Sequence, residues 1–263
     1  VRYSSADFGF LCIGRYDLTN ISTKFEDSIS RPMIDSTPYG TASAEVIPGL
    51  FKTYELTGHE GWYDDSAYSI NAAMVDLAVG ANVFMMAPFG NDAPTTTPVA
   101  GIGNSVICSN GLYKTAFKRS GSVGDYTKAS FEVAISGTVD QKAKLVAPLV
   151  ARTVTGTTAA TYLDMGAPGT VNGRAYLVVT DILWDTRTSL DIEIQDGTTP
   201  PTFADHTSFT QILPATTPDG TGTSEMVVLE AAAIDQYTCV TWTWAGGSAS
   251  DETVTFAVAV VYD

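Results

Sequence analysis

Positive charge is scarce in this chain. Its 263 residues carry 14 Lys+Arg against 29 Asp+Glu, a formal net charge of −15 with His neutral, and only 16% of residues are charged. Holding nucleic acid by its phosphates requires clustered Lys and Arg, so the composition excludes a general nucleic-acid binder. Cysteine is also rare. Cys12, Cys108 and Cys239 are odd in number and widely spaced, which fits neither a disulfide framework nor a zinc pattern. Each lies in an apolar stretch, as a small buried hydrophobe with a free thiol would, and this favours folding in a reducing compartment. The two histidines, His59 and His206, have no Cys, His, Asp or Glu at a metal-binding interval. They read as ordinary polar residues, and neither a metal nor a cofactor is expected. Long apolar runs are missing. The longest, Phe256 to Tyr262, is far short of the roughly 20 residues of a spanning helix. No membrane partner is expected, and residues 1–14 lack the basic region and apolar run of a secretion signal.

What is present is apolar and strand-like. With 44% apolar and 10% aromatic residues the chain is not disordered. Its length suits one large domain or two of roughly 100–150 residues. In Thr253–Tyr262, Val254, Phe256, Val258, Val260 and Tyr262 fall on one face at period two, and Thr253, Thr255, Ala257 and Ala259 fall on the other. Val240, Trp242 and Trp244 alternate with Thr241 and Thr243 in the same way. Leu190, Ile192 and Ile194 alternate with Asp191, Glu193 and Gln195, a strand with one dry and one wet face. Phe131, Val133 and Ile135 mark another strand, and Asn110-Gly111 has the chemistry of a hairpin turn.

One segment has helical spacing. Ile70, Ala73, Met74 and Leu77 share a face, Asp64, Asp65 and Ser66 supply N-terminal caps, and Gly80 can close the other end, so a helix is expected over 65–79. Composition shifts near residue 138. There are 9 basic and 14 acidic residues up to Thr138, and 5 basic and 15 acidic from Val139, while Thr rises from 12 to 23. The expected fold is all-β: a sandwich or barrel with one flanking helix over 1–138, followed by a Thr-rich β-sandwich part over 139–263.

Chemistry has little support in the sequence. No nucleophile sits in a G-x-S-x-G elbow, Gly101-Ile-Gly103 lacks the third glycine of a dinucleotide loop, and there is no Walker A lysine motif. Asp191 and Glu193, with Asp196-Gly197 beyond, could gather oxygen ligands for calcium, but a solvated strand face ending in a turn explains them more simply. Asp64-Asp65 could be paired glycosidase carboxylates, but helix capping is the simpler role. No catalytic residue is assigned, and the chain is not expected to be an enzyme.

The informative stretch is 20–64. An amphipathic strand (Ile21, Thr23, Phe25) leads into a turn-rich loop, Asp35-Ser36-Thr37-Pro38-Tyr39-Gly40, that runs to Pro48-Gly49. A second strand follows (Phe51–Leu56), then Gly61-Trp62-Tyr63-Asp64 and the helix. So long a loop between two strands that should pair is uncommon without a task, and loops on a rigid sheet are where partners are met.

The order of these features resembles the major tail tube protein of long-tailed bacteriophages with non-contractile tails. It rests on the early strand, the D-x-T-x-x-G loop (Asp35, Thr37, Gly40), the Pro-Gly before the second strand, and the G-x-Y-D entry to a helix (Gly61, Tyr63, Asp64). It extends to Gly124-Asp125-Tyr126 and the strand Ala129–Ser136. Further on it covers Leu163-Asp164-Met165-Gly166-Ala167, Gly173–Val179, Thr202-Phe203, Phe209-Thr210 and the terminal strand.

The resemblance implies a structural virion protein. Such subunits form rings, usually hexameric, that stack into a tail tube. A tape-measure protein sets the tube's length, terminator and baseplate proteins meet its ends, and genomic DNA passes through without specific binding. It further implies assembly in the host cytoplasm, inter-ring contacts through Asp35, Ser36, Thr37, Tyr39 and Gly40 in a loop over about 30–49, and an N-terminal arm over 1–10. A trimeric ring of pseudo-sixfold symmetry is the variant to weigh if the second part is a diverged copy of the first. An acidic channel wall, which repels phosphate, is the expected lining. The alternative is a carbohydrate-binding or decoration sandwich of a phage particle, in which an exposed Trp242 or Trp244 would stack on sugar. Their shared face with Val240 favours core packing instead.

Overall fold

The computed structural model describes residues 9–30, 33–35, 46–48, 53–62, 70–76, 83–87, 105–122, 127–135, 138–166, 169–247 and 251–262. In chain order the strands are β1 (Phe10–Ile13), β2 (Tyr16–Asp17), β3 (Ser22–Ser30), β4 (Met33–Asp35), β5 (Val46–Pro48) and β6 (Thr53–Trp62). The helix α1 (Ile70–Asp76) follows. Then come β7 (Phe84–Ala87), β8 (Ser105–Ser109), β9 (Leu112–Ser120), β10 (Lys128–Ile135), β11 (Val139–Arg152), β12 (Gly156–Thr157) and β13 (Leu163–Asp164). The last are β14 (Gly169–Leu183), β15 (Ser189–Thr199), β16 (Thr202–Ser208), β17 (Thr223–Ile234), β18 (Tyr237–Ala245) and β19 (Thr253–Tyr262).

The chain divides into two compact units. One comprises the chain up to residue 20, residues 82–109 and residues 140–263; the other comprises residues 21–81 and 110–139. The last of the four crossings between them, at 139/140, falls where composition shifts, but the units do not follow one cut through the chain. β1, β2, β7 and β8 belong to the same sheet as β11, β14, β17 and β19. β1 and β7 are apolar on successive residues, as strands buried on both faces must be, and that makes them part of the larger unit's core.

The larger unit is a sandwich. Its eight-stranded sheet runs β17-β14-β19-β11-β8-β7-β1-β2, and its other sheet runs β12-β18-β15-β16 with β13 also on β18. Alternation sends Leu177, Val179, Val254, Phe256, Val258 and Val260 to one side of the large sheet, where they meet Leu190, Ile192, Ile194, Val240 and Trp244 of the smaller sheet. The opposite side is buried too. Phe10, Cys12, Met85 and Cys108 form a second cluster with Tyr176, Val178, Ala257 and Ala259, although β1 and β14 are far apart in strand order. The sheet brings them together by curling into a half-barrel. β19 therefore has a dry face on each side, with the small Ala257 and Ala259 inside the curl.

The smaller unit is an antiparallel sheet, β3-β6-β10-β9, with α1 packed on β10. β10 alternates as its sequence requires: Ala129, Phe131, Val133 and Ile135 are buried. All three strand pairs slip register at neighbouring positions, between Lys24 and Glu26, Phe131 and Val133, and Glu132 and Val133. Such a row of bulges bends a sheet. Lys114 Nζ donates to the Met74 carbonyl at 2.7 Å, which places a cation at the C-terminal end of α1. The described helix is 70–76, inside the expected 65–79; the expected caps Asp64 and Asp65 lie outside the described residues. Among the described residues no helix is long and apolar enough to cross a membrane.

Asn110-Gly111 is not a hairpin turn. β8 pairs with β7 and neighbours β11, whereas β9 pairs with β10 in the other sheet. Gly111, with φ of 75°, turns the chain from one sheet to the next rather than back on itself.

Candidate functional site: assembly surfaces

The long excursion between β3 and β6 carries a ribbon of its own. β4 and β5 pair antiparallel, Met33 opposite Pro48, Ile34 opposite Ile47 and Asp35 opposite Val46. Among the described residues this two-stranded sheet is hydrogen-bonded to no other strand. Pro48, without an N–H, suits such a free margin. Of the residues expected to contact a neighbouring ring, Asp35 sits at the distal end of β4; Ser36, Thr37, Tyr39 and Gly40 lie outside the described residues, as do residues 1–8 of the arm expected over 1–10, whose Phe10 begins the buried strand β1.

Among the described residues the end strands of these sheets have no further strand partner. β17 and β2 bound the eight-stranded sheet, β3 and β9 the four-stranded one. β17 is a 12-residue strand, and its Val228 is 53% exposed. Long unpaired edges invite pairing with another chain.

The buried ionisable groups hold the fold. Arg174 grips Asp140 with two bonds, at 2.7 and 2.8 Å, and the Tyr176 hydroxyl donates to the same carboxylate at 2.6 Å. Burial, then the hydrogen bond to Asp140, raises the Tyr176 pKa strongly, so it remains a donor. Arg187 binds Glu252 at 2.8 Å and the Gly246 carbonyl at 2.7 Å, tying the start of β15 to that of β19. Arg152 donates to the carbonyls of Pro148, Val150 and Phe256, each at 2.8 Å, and its guanidinium stacks 3.8 Å from the Phe256 ring centre. The sequence reading missed these clusters. The available signal was a charged residue inside an apolar strand, such as Arg174 two positions before Tyr176 on the same face.

Other singled-out residues have structural places. His206 Nδ1 lies 3.3 Å from Asp196, whose carboxylate also accepts from the Asp235 amide. Asp196 is thus buried within β15, which continues to Thr199, and does not begin a turn as its Asp-Gly suggested. Asp191 accepts from Gln211 Nε2. The Glu193 carboxyl is raised, chiefly by desolvation and then by Asp205 and Asp191. Among the described residues no group of His, Cys, Asp and Glu is arranged to hold a metal. Trp244 is in the core, edge-on to Trp184, and the half-buried Trp242 packs edge-on to Phe256. Cys12 and Cys108 are fully buried, with thiol pKa values raised well above normal by desolvation, and Cys239 is raised to about 11. Such thiols are poor nucleophiles.

No protein-family profile and no curated protein matches the sequence. Solved structures give distant likenesses. A chain of the virion of a native gene transfer agent particle is 13% identical with a TM-score of 0.39, covering 53% of this chain and 98% of that one. A chain of the tail of an empty gene transfer agent particle, refined helically with C6 symmetry, is 14% identical with a TM-score of 0.38, covering 54% and 99%. The SPP1 Dit protein, described as a paradigm of the hub adsorption apparatus in phages that infect Gram-positive hosts, is 11% identical with a TM-score of 0.31, covering 96% and 98%.

Proposed function

We propose that this chain is a structural subunit of a phage tail, one that forms rings, hexameric by the family resemblance, and stacks them into the tube that delivers DNA. The observation that carries the reading is the free β4–β5 ribbon standing where the tail-tube resemblance requires an inter-ring loop. The curled eight-stranded sheet supports it, because its end strands β17 and β2 have no outer strand partner among the described residues, the kind of edge that a ring of identical subunits closes. The buried polar groups described above serve packing, and no nucleophile–base pair is among them; we propose no enzymatic role.

In this reading the channel wall carries more acidic than basic side chains, so DNA slides without counterion-releasing contacts. A wall ringed by Lys and Arg in the assembled particle contradicts that expectation. Shortening the segment 36–45 tests the stacking role. The trimmed protein should give single rings where the full chain gives tubes in negative stain; tubes of unchanged length would refute it. The glycan-binding alternative has less support, since Trp244 is buried and Trp242 is packed on Phe256.

A further inference from the structure

Both units are acidic overall, the smaller one with 11 acidic and 7 basic residues, but each has a local patch of its own character. In the larger one most described cations are already engaged: Arg174 with Asp140, Arg187 with Glu252, Arg152 on three backbone carbonyls and Lys144 on the Asp164 carbonyl. Four of its exposed acids collect at one end of the sandwich. Asp181 is exposed near the end of β14, where Leu183 pairs with Thr253, so Asp185 and Asp251 leave the two strands at that same end. Asp219 joins them, because its carboxylate accepts the Trp184 amide at 2.7 Å and the Gly220 amide binds the Ile182 carbonyl at 2.8 Å. Leu183 and Leu213 are 40% and 36% exposed.

The smaller unit has the opposite character at one margin. β9 carries Lys114, Lys118 and Arg119, all exposed, and no acid. Lys118 is opposite Ser130, and Ser120 is opposite the exposed Lys128, so Lys118 and Lys128 share one face at the outer end of the sheet. Glu132, across from Ala116, is on the same face, so the two lysines outnumber one acid there. β9 is also a terminal strand, so its outer backbone edge has no strand partner among the described residues.

We infer that Lys118 and Lys128 on one copy dock against the acidic end of the larger unit, Asp181, Asp185, Asp219 and Asp251, of a second copy. The contact is heterologous, a basic patch on one subunit against a different, acidic patch on the next, and such contacts generate rings or filaments. It rests on the ring reading for its head-to-tail sense and adds to it the residues that set register. Exposed charge pairs between subunits make the association salt-sensitive.

Charge reversal in the full-length chain tests this. One variant carries Lys118→Glu and Lys128→Glu. The other carries Asp181→Lys and Asp251→Lys, which leaves the amide contact of Asp219 and the positive φ of Asp185 undisturbed. Sedimentation velocity at low and high salt should show salt-weakened self-association for the parent chain, its loss in each variant alone, and its return when the two variants are mixed. Both variants must keep the parent near-UV circular dichroism. Lys118→Gln with Lys128→Gln, which removes attraction without adding repulsion, should also weaken association. Variants that associate like the parent, or a mixture as dispersed as its components, would overturn the inference. Tubes formed equally by parent and variants defeat the docking while leaving the tube reading intact. Salt-sensitive association restored by mixing, without rings or tubes, upholds the docking and removes the tube.

Discussion

Arg152 carries a positive charge into the larger unit and gives its hydrogen bonds to backbone. β11 slips register against β19 between Leu145 and Ala147 and again between Ala147 and Val150, which leaves carbonyls without ladder partners. The guanidinium fork reaches three of them and stacks on Phe256. Burial lowers its pKa to about 10, so the charge persists at neutral pH. Arg152→Met should therefore cost about 2–4 kcal/mol in urea unfolding, since it strands buried acceptors. Arg152→Lys should not rescue it, because an ammonium cannot span the fork. Glu193 is the opposite case. Its raised pKa means the folded state favours the protonated form. Its contribution is therefore fully present below the unfolded value and is lost as pH rises through the folded one. Glu193→Gln should stabilise the fold slightly at about pH 7 in urea unfolding, by no more than roughly 0.5 kcal/mol after solvent screening, and the gain should vanish below about pH 4. Neither environment was legible in sequence. Glu193 alternates correctly onto the wet face of β15, but only pairing in space brings Asp205 beside it.

At the scale of elements, alternation was the reliable signal. β19 spans the expected Thr253–Tyr262, and β10, β15 and β18 carry their apolar faces where period two puts them. Pairing was less legible. Asn110-Gly111 has hairpin chemistry, yet β8 and β9 enter different sheets, because local turn preference does not choose a strand's partner. Glycines within strands mark where backbones crowd. At Gly173, in β14 between β17 and β19, a Cβ would lie 2.3 Å from the Val261 carbonyl oxygen. Gly173→Ala should thus destabilise by about 2–4 kcal/mol in chemical denaturation, more than an alanine at the open Gly169.

For the whole molecule, the all-β class with a single short described helix could be read from the sequence, whereas the division into units could not. A composition shift locates the passage near 139, but it cannot show that residues 10–17, 84–87 and 105–109 return to complete the sheet of the later half, because sequence distance hides long-range strand order. The net charge of −15 also acquires structure. Asp181, Asp185, Asp219 and Asp251 gather at one end of the larger unit, and the exposed Lys118 and Lys128 lie at the outer end of the β9–β10 pair. An acidic channel therefore requires β9 to face a neighbouring subunit rather than the lumen. The central claim, that this chain builds a ring around an open channel, is tested most directly by electron microscopy of the purified protein at high concentration with rotational averaging. The account predicts annuli or stacked tubes with sixfold symmetry and an open centre. Particles without a channel, or monodisperse monomers even when seeded with preformed tail ends, would contradict it.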